Sequence, residues 1–465
     1  MKRTVIVGLG RSGIGAAKLL SSKGIPTTLI ESGITPELEK KADQLRLEGI
    51  EVHLGLPLKA ESFRAWHGDL DTVVISPGIA WDHPTLTKLR ADGITVQGEI
   101  ALAWQSLRHL PWIGITGTNG KTTVTHLLSH VLQTAGLRAP MGGNMGMSAA
   151  EMALQLNHPK AETPDWLVME LSSYQIEAAT EIAPRIGLWT TLTPDHLERH
   201  GTLEAYRMIK RGLLERSELA IFNADDPDLR QQRSSWDRGV WVSAEGPQPG
   251  GQAADLWIDA DGMVQTQTRR LFPAEALRMP GEHNRQNMLM VTAAAQSIGL
   301  NTDQIEAGLR SFPGVPHRLE HIGTIGDLAI FNDSKATNYD AAAVALRAMQ
   351  SPAVVLAGGQ TKQGDAQGWL QQLQKKACAV VLFGAGAQTL HELIADGGNF
   401  CGLVESCPDL ESAVDVAVST AKRLNAACLL LSPACASFDQ YSDFEARGEH
   451  FRHLIRHHQI NNHSS

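Results

Sequence analysis

A chain of 465 residues is longer than one hydrophobic core usually serves, so two or three domains are expected. With 43% hydrophobic and 20% charged residues the composition is that of a globular protein, and a net charge of −9 argues against nucleic acid or an anionic membrane held through bulk charge. The five cysteines (Cys378, Cys401, Cys407, Cys428, Cys435) form no CxxC pair or disulfide framework, no apolar run reaches membrane-span length, and the first apolar run is too short for a secretion signal, so a cytoplasmic chain is expected.

In chain order, Thr4 to Gly13 reads as a buried strand running into Gly8-x-Gly10-x-x-Gly13 and then a helix. A second strand ends at Glu31. Glycines there admit a pyrophosphate to a helix N-terminus, and the acid can hold a ribose hydroxyl. A tight strand–helix turn with no ligand, or a nicotinamide-dependent oxidoreductase, would show the same pattern. Asp71 to Ile79 is another strand, ending in a Ser76-Pro77-Gly78 turn. Residues 1–107 therefore read as one Rossmann-like domain.

Trp112 to Thr123, WIGITGTNGKTT, is strand, glycine-rich loop and helix, opening a second domain over 108–314. Such a loop aims backbone N–H groups at phosphate oxygens. Lys121 would reach the terminal phosphates of ATP and Thr122 would hold magnesium. A strict Walker pattern wants glycine at position 115, where Ile115 stands beside Gly114. Gly142 to Gly146 is a polar loop. Further strands end at Glu170 and open onto Asp195, His196 and His200. Glu170 is placed for magnesium, though it also reads as a solvated strand end, and His196 also reads as a cap. Lys210 lies on the helix AYRMIKRGLLER, where spacing alone predicts a solvated lysine. The stretch from Ser234 to Pro280 reads as an antiparallel flank of a mostly parallel sheet. His283, Asn284 and Asn287 open a helix, and Asn amides can pair with an adenine edge. A third domain, again Rossmann-like, covers 315–460, and 461–465 is expected to fray. The fold class is thus α/β in three domains.

GTNGKTT, GGNMG, Glu170, DHLERH, HNRQN, PHR and NDSKATN occur together in an order that resembles the Mur ligases, ATP-dependent amino-acid ligases of peptidoglycan precursor synthesis. GLGRSG, SPGI and SPACASFDQYSDFEARG are similar to the D-glutamate-adding branch. The resemblance implies that Gly117, Thr118, Asn119, Gly120, Lys121, Thr122 and Thr123 hold ATP, with Asn284, Asn287, Arg318 and Asp333 as further nucleotide contacts. It implies two magnesium ions on Thr122, Glu170 and His196, with Lys210 carbamylated into an oxygen donor. Gly10, Arg11, Ser12, Glu31, Ser76 and Asn144 would hold UDP-N-acetylmuramoyl-L-alanine, and Lys335, Thr337, Lys362, Ser437, Phe438 and Phe444 would hold D-glutamate. Lys121, His196, Lys210, Arg318 and Lys335 would act in catalysis by a monomer. The family's acid after the second strand is often Asp, here Glu31, and Ser32 and Gly33 stand where a basic residue sometimes follows. Another Mur-type ligase, a folylpolyglutamate synthase-like ligase and a regulatory ATPase switch are the competing readings.

Overall fold

The computed structural model describes residues 2–279, 281–361, 364–397 and 399–463. Its strands form three sheets of five, nine and six strands. The chain divides into two compact units, Met1–Arg278 with Glu282–Phe312, and Met279–Gly281 with Pro313–Ser465. The first unit holds the first two sheets, and the second holds the third.

The first sheet runs Glu51–Leu54, Thr27–Glu31, Arg3–Val7, Leu70–Ile75, Thr95–Gly98, all parallel. Strand order reverses at Arg3–Val7, and the crevice at such a switch point is where open α/β sheets take ligands. Val5, Ile6, Leu29, Ile30, Val73 and Val74 are wholly buried in these strands. Each such side chain contributes about 1.5–3 kcal/mol through the water it sheds.

The second sheet is centred on Trp112–Thr116, whose five residues are all buried. On one side lie Leu167–Glu170 and Met141–Gly143. On the other lie Ile186–Trp189, Leu219–Asn223, Val240–Ser243 and Leu256–Ile258, all parallel. Only Met263–Thr266 and Arg270–Pro273 are antiparallel. The flank is therefore shorter than the stretch from Ser234 to Pro280 that was expected to form it. Asp259 explains where it starts: its carboxylate accepts from the Asp261 and Met263 N–H groups, and that tight turn reverses the chain.

Helix Arg11–Ser22 of the first domain packs on helix Ala149–Leu156 of the second. A Cβ at Gly15 would lie 2.5 Å from Ser148 Oγ, so the close approach needs glycine. One apolar core runs through both domains from Ile6 and Leu20 to Met152, Met169 and Trp189.

The third sheet runs Glu320–Ile325, Leu328–Asn332, Cys428–Leu431, Ala353–Gly358, Ala377–Phe383, Leu403–Cys407. Its first pair is antiparallel and the rest parallel. The last helix, Phe444–His463, continues through three residues of the stretch expected to fray, and Ser464 and Ser465 lie outside the described residues. No helix among the described residues is long and apolar enough to cross a membrane. The expectation of three α/β domains, mostly parallel with an antiparallel flank on the central sheet, agrees with this architecture.

Candidate active site

The central strand Trp112–Thr116 delivers the chain to Gly117, and the helix Lys121–Thr134 starts from Gly120 at φ 85°. Gly117 has φ 146°, and a Cβ there would overlap Thr190 Oγ1, so both positions need glycine. The loop is latched to the neighbouring strand end. Thr118 Oγ1 donates to Thr193 O at 3.1 Å, the Asn119 N–H donates to Thr191 Oγ1 at 2.9 Å, and Thr190 Oγ1 donates to Asn119 O. Lys121 Nζ curls over the loop and donates to the Gly117 and Thr118 carbonyls at 2.9 and 2.8 Å. Thr122 and Thr123 are buried at the helix start. Asn284 and Asn287 are buried on helix Glu282–Ile298, and a Cβ on Gly120 would lie 2.8 Å from Asn287 Oδ1. Thr118, Lys121, Thr122, Thr123, Asn284 and Asn287 thus gather around the loop at one edge of the sheet. The latching threonines were missed in the sequence, where TTLT reads only as the end of a strand.

Lys210 is 1% exposed. The amine sits against the phosphate loop, donating to Thr116 Oγ1 at 3.2 Å and Gly117 O at 3.1 Å, with the Tyr206 ring 4.5 Å away. Burial first, then the neighbouring Lys121 charge, lower its pKa well below the ordinary lysine value, against the pull of Asp195 and Glu170. Spacing predicts a solvated lysine here; the helix instead turns this face onto Thr116, and the amine goes under the loop.

Glu170, 2% exposed, ends the adjacent strand. Its Oε1 accepts from Asn144 Nδ2 at 2.9 Å, while Oε2 is buried with no hydrogen-bond partner among the described residues. An ionised oxygen is costly to leave that way without a cation. Glu170 Oε2 is a hard oxygen donor of the kind magnesium takes. Asn144, expected to touch the UDP substrate, thus also steers Glu170. His196 is half exposed, with φ 54°, and faces Tyr174 at 5.1 Å and Tyr206 at 6.5 Å between ring centres. His200 Nε2 shares a 2.9 Å hydrogen bond with Ser173 Oγ, and burial, then the Arg199 charge, holds its pKa down at about 4.

In the first domain, a Cβ on Gly13 would strike Gly8 O at 1.9 Å, which is the tight turn the motif implies. Gly10 caps the helix that Arg11 and Ser12 begin. Glu31 accepts from the Leu9 and Gly33 N–H groups at 2.9 and 3.0 Å. Burial raises the pKa of Glu31, but those N–H groups and Ser32 outweigh it, and the net shift is downward. Ser76 Oγ is buried beside Gly8 with no partner among the described residues, leaving a hydroxyl for a ligand at the switch point. Arg11 reaches across to the second domain and donates to Gly146 O at 3.0 Å.

The second unit gathers its own cluster at the C-terminal ends of its parallel strands. His317 and Leu319, on either side of Arg318, have φ 59° and 44°, a conformation that costs bulky residues energy and tends to occur at functional sites. Asp333 is buried, accepting from the Leu319 N–H at 3.1 Å and Ser432 Oγ at 3.0 Å. Burial pushes its pKa up to about 7. Lys335 Nζ lies 5.5 Å from the Phe444 ring centre. Thr337 is half-buried on the same loop, Ser437 is 2% exposed, and Phe438 is 68% exposed. Lys362 lies outside the described residues.

Three family models cover most of the chain. "Mur ligase MurD-like, N-terminal domain" matches residues 2–98, "Mur ligase middle domain" matches 115–295, and "Mur ligase, glutamate ligase domain" matches 317–435. A UDP-N-acetylmuramoylalanine–D-glutamate ligase of Parasynechococcus marenigrum is 68% identical over 460 residues, 99% of each chain. Another of that name, from Prochlorococcus marinus, is 66% identical over 458 residues, 98% of this chain and 99% of the relative. Among solved structures, a UDP-N-acetylmuramate-alanine ligase of Thermotoga maritima superposes with a TM-score of 0.60 at 19% identity, over 99% of this chain and 100% of that one, a likeness of fold.

Proposed function

The chain belongs to the Mur ligase family, and from that premise we propose that it joins D-glutamate to the L-alanine carboxylate of UDP-N-acetylmuramoyl-L-alanine at the expense of ATP. ADP and phosphate are the other products, and the peptide formed is a precursor of peptidoglycan. The convergence of Lys121, buried Lys210 and half-satisfied Glu170 at one sheet edge carries the reading. Residues 1–107 bind the UDP substrate, 108–314 bind ATP, and 315–460 bind the amino acid. The reaction runs in the cytoplasm, where ATP is supplied, on a single chain that needs no nucleic acid or membrane.

A carboxylate is a poor electrophile. Its oxygen first attacks the γ-phosphorus of ATP, the bond to the ADP oxygen breaks, and an acyl phosphate forms. The uncharged amine of D-glutamate then attacks the carbonyl carbon, loses a proton, and phosphate leaves with the former carboxylate oxygen. Both steps move negative charge onto oxygens. Lys121 and the N–H groups of Gly117 to Lys121 stabilise that charge where it develops, and the threonine latch holds the loop rigid meanwhile. Magnesium on Thr122 and Glu170, with a second ion on His196, would neutralise the phosphate oxygens. Lys210 carries a carbamate in this reading: a buried amine whose hydrogen-bond acceptors are a hydroxyl and a carbonyl reacts with carbon dioxide in its uncharged form, and the product would offer oxygens to a cation at the phosphate loop. Asn284 and Asn287 hold the adenine side of ATP. Gly10, Arg11, Ser12, Glu31 and Ser76 hold the uridine diphosphate, while Arg318, Asp333, Lys335, Thr337, Lys362, Ser437, Phe438 and Phe444 act from the third domain.

Phosphate release with ATP and UDP-N-acetylmuramoyl-L-alanine, over a panel of amino acids of both hands, tests the reading. D-glutamate alone should give sustained release. Release with a diamino acid in its place would move the chain to another branch of the family.

A further inference from the structure

Arg447, on the last helix, is fully buried, yet its hydrogen-bond acceptors among the described residues are all neutral. Nε donates to Ser334 Oγ at 3.0 Å, and Nη2 to Ser334 O at 2.8 Å. Nη1 donates to Gly358 O at 3.3 Å and Ala436 O at 3.3 Å, and both Nη atoms donate to Cys435 O at 3.1 Å. Burial brings its pKa down to about 10. Burying a cation with no carboxylate bonded to it costs energy that a methionine of similar volume would not cost. Something other than stability accounts for an arginine there.

Its acceptors lie at or just past the C-terminal ends of Leu328–Asn332, Ala353–Gly358 and Cys428–Leu431, three adjacent strands that are distant in sequence. A guanidinium is a rigid plane with five N–H donors, so it fixes the spacing and tilt of three loops together, which a lysine cannot do from one point. The pinned residues adjoin the amino-acid site. Ser334 precedes Lys335, Ala436 precedes Ser437, and Phe444 is one helical turn before Arg447, with its carbonyl accepting from Ser334 Oγ at 2.8 Å. The loops have no slack, since a Cβ on Gly359 would lie 2.2 Å from Ala436 O. We propose that Arg447 is the positioning residue that sets the dimensions of the D-glutamate pocket, acting through these three loops without touching the substrate. The proposal rests on the reading of this domain as the amino-acid site.

The test compares full-length Arg447→Lys and Ser334→Ala with the unaltered enzyme, measuring KM for each of the three substrates, kcat and Tm. A displacement near 1 Å in a positioned site can cost about 100-fold, so Arg447→Lys should raise the KM for D-glutamate at least about tenfold. The KM for ATP and for the UDP substrate should stay within about threefold. Ser334→Ala loses only the hydroxyl contacts and should raise the D-glutamate KM by about threefold, which keeps the proposal testable if the lysine variant does not fold. A folded Arg447→Lys enzyme with native D-glutamate KM, a parallel rise in all three KM values, or an unaltered KM in Ser334→Ala would overturn it. An unaltered enzyme that ignores D-glutamate would instead overturn the reading beneath it.

Discussion

The rim of the central sheet and the strand-end cluster of the last sheet are built alike, from parallel strands that open into loops, yet they treat buried charge in opposite ways. At the central rim the charged groups keep capacity in reserve: among the described residues Glu170 spends one oxygen on Asn144 and leaves the other, and Lys210 leans only on a hydroxyl and a carbonyl. In the last domain the capacity is spent. Arg447 gives its N–H groups to three loops, and Asp333 commits one oxygen to Leu319 and the other to Ser432. Reserve capacity at Glu170 and Lys210 goes with groups proposed to meet a ligand, and the satisfied guanidinium of Arg447 goes with one that shapes the place where other groups do.

The largest effect is expected of Lys210→Ala. Without the carbamate oxygens turnover should fall about 100-fold or more, with partial rescue by small carboxylates that fit the vacated space. Carbon-13 bicarbonate labelling should find the modified lysine in the unaltered enzyme. An unmodified Lys210 together with a fully active alanine variant would remove the residue from the mechanism.

Asn144→Ala should have a smaller effect. The amide holds Glu170 Oε1 at 2.9 Å, and loss of such a supporting contact typically weakens a metal site by about 10-fold. The magnesium needed for half-maximal rate should rise by about that factor. A rise confined to the KM of the UDP substrate would put Asn144 on the substrate alone.

Glu99 tests whether a spare oxygen is sufficient to mark chemistry. Its Oε1 accepts from the Ala150 N–H where the first two domains meet, and its Oε2 is buried and partnerless among the described residues. Burial raises its pKa from 4.5 to about 7, against the Ala150 and Ser148 contacts that lower it. The folded chain therefore binds this proton more tightly than the unfolded one. The stability it confers is full below about pH 4.5, falls as pH rises toward 7, and is level above. Glu99→Gln should gain on the native protein between pH 5 and pH 8, by roughly 2–4 °C in Tm, with turnover unchanged. A constant Tm difference would mean that the carboxyl does not titrate in that range.

Much of this was legible in the sequence because the central motif is contiguous. Gly117 to Thr122 must be a loop capped by a helix, since only glycine tolerates φ 146° against Thr190. The alternation of strand and helix points to the three sheets and the pattern to an antiparallel flank, but one longer than the structure has, because Val240–Ser243 and Leu256–Ile258 are as short as hairpin strands yet pair parallel. What stayed hidden depends on contacts between distant residues. Nothing in AYRMIKRGLLER says that Lys210 turns inward, and nothing around Arg447 says that its partners lie 11 to 113 positions away. Burial of a polar group is a property of the assembled fold, and a local pattern reports it poorly.

In the proposed reaction the rim activates a carboxylate as an acyl phosphate and the last domain supplies D-glutamate to it. Oxygen-18 in both oxygens of the L-alanine carboxylate follows that step directly. With ATP and D-glutamate present, each ligation should place one labelled oxygen in the released phosphate and keep the other in the new amide. Unlabelled phosphate accompanying ligated product would contradict the claim.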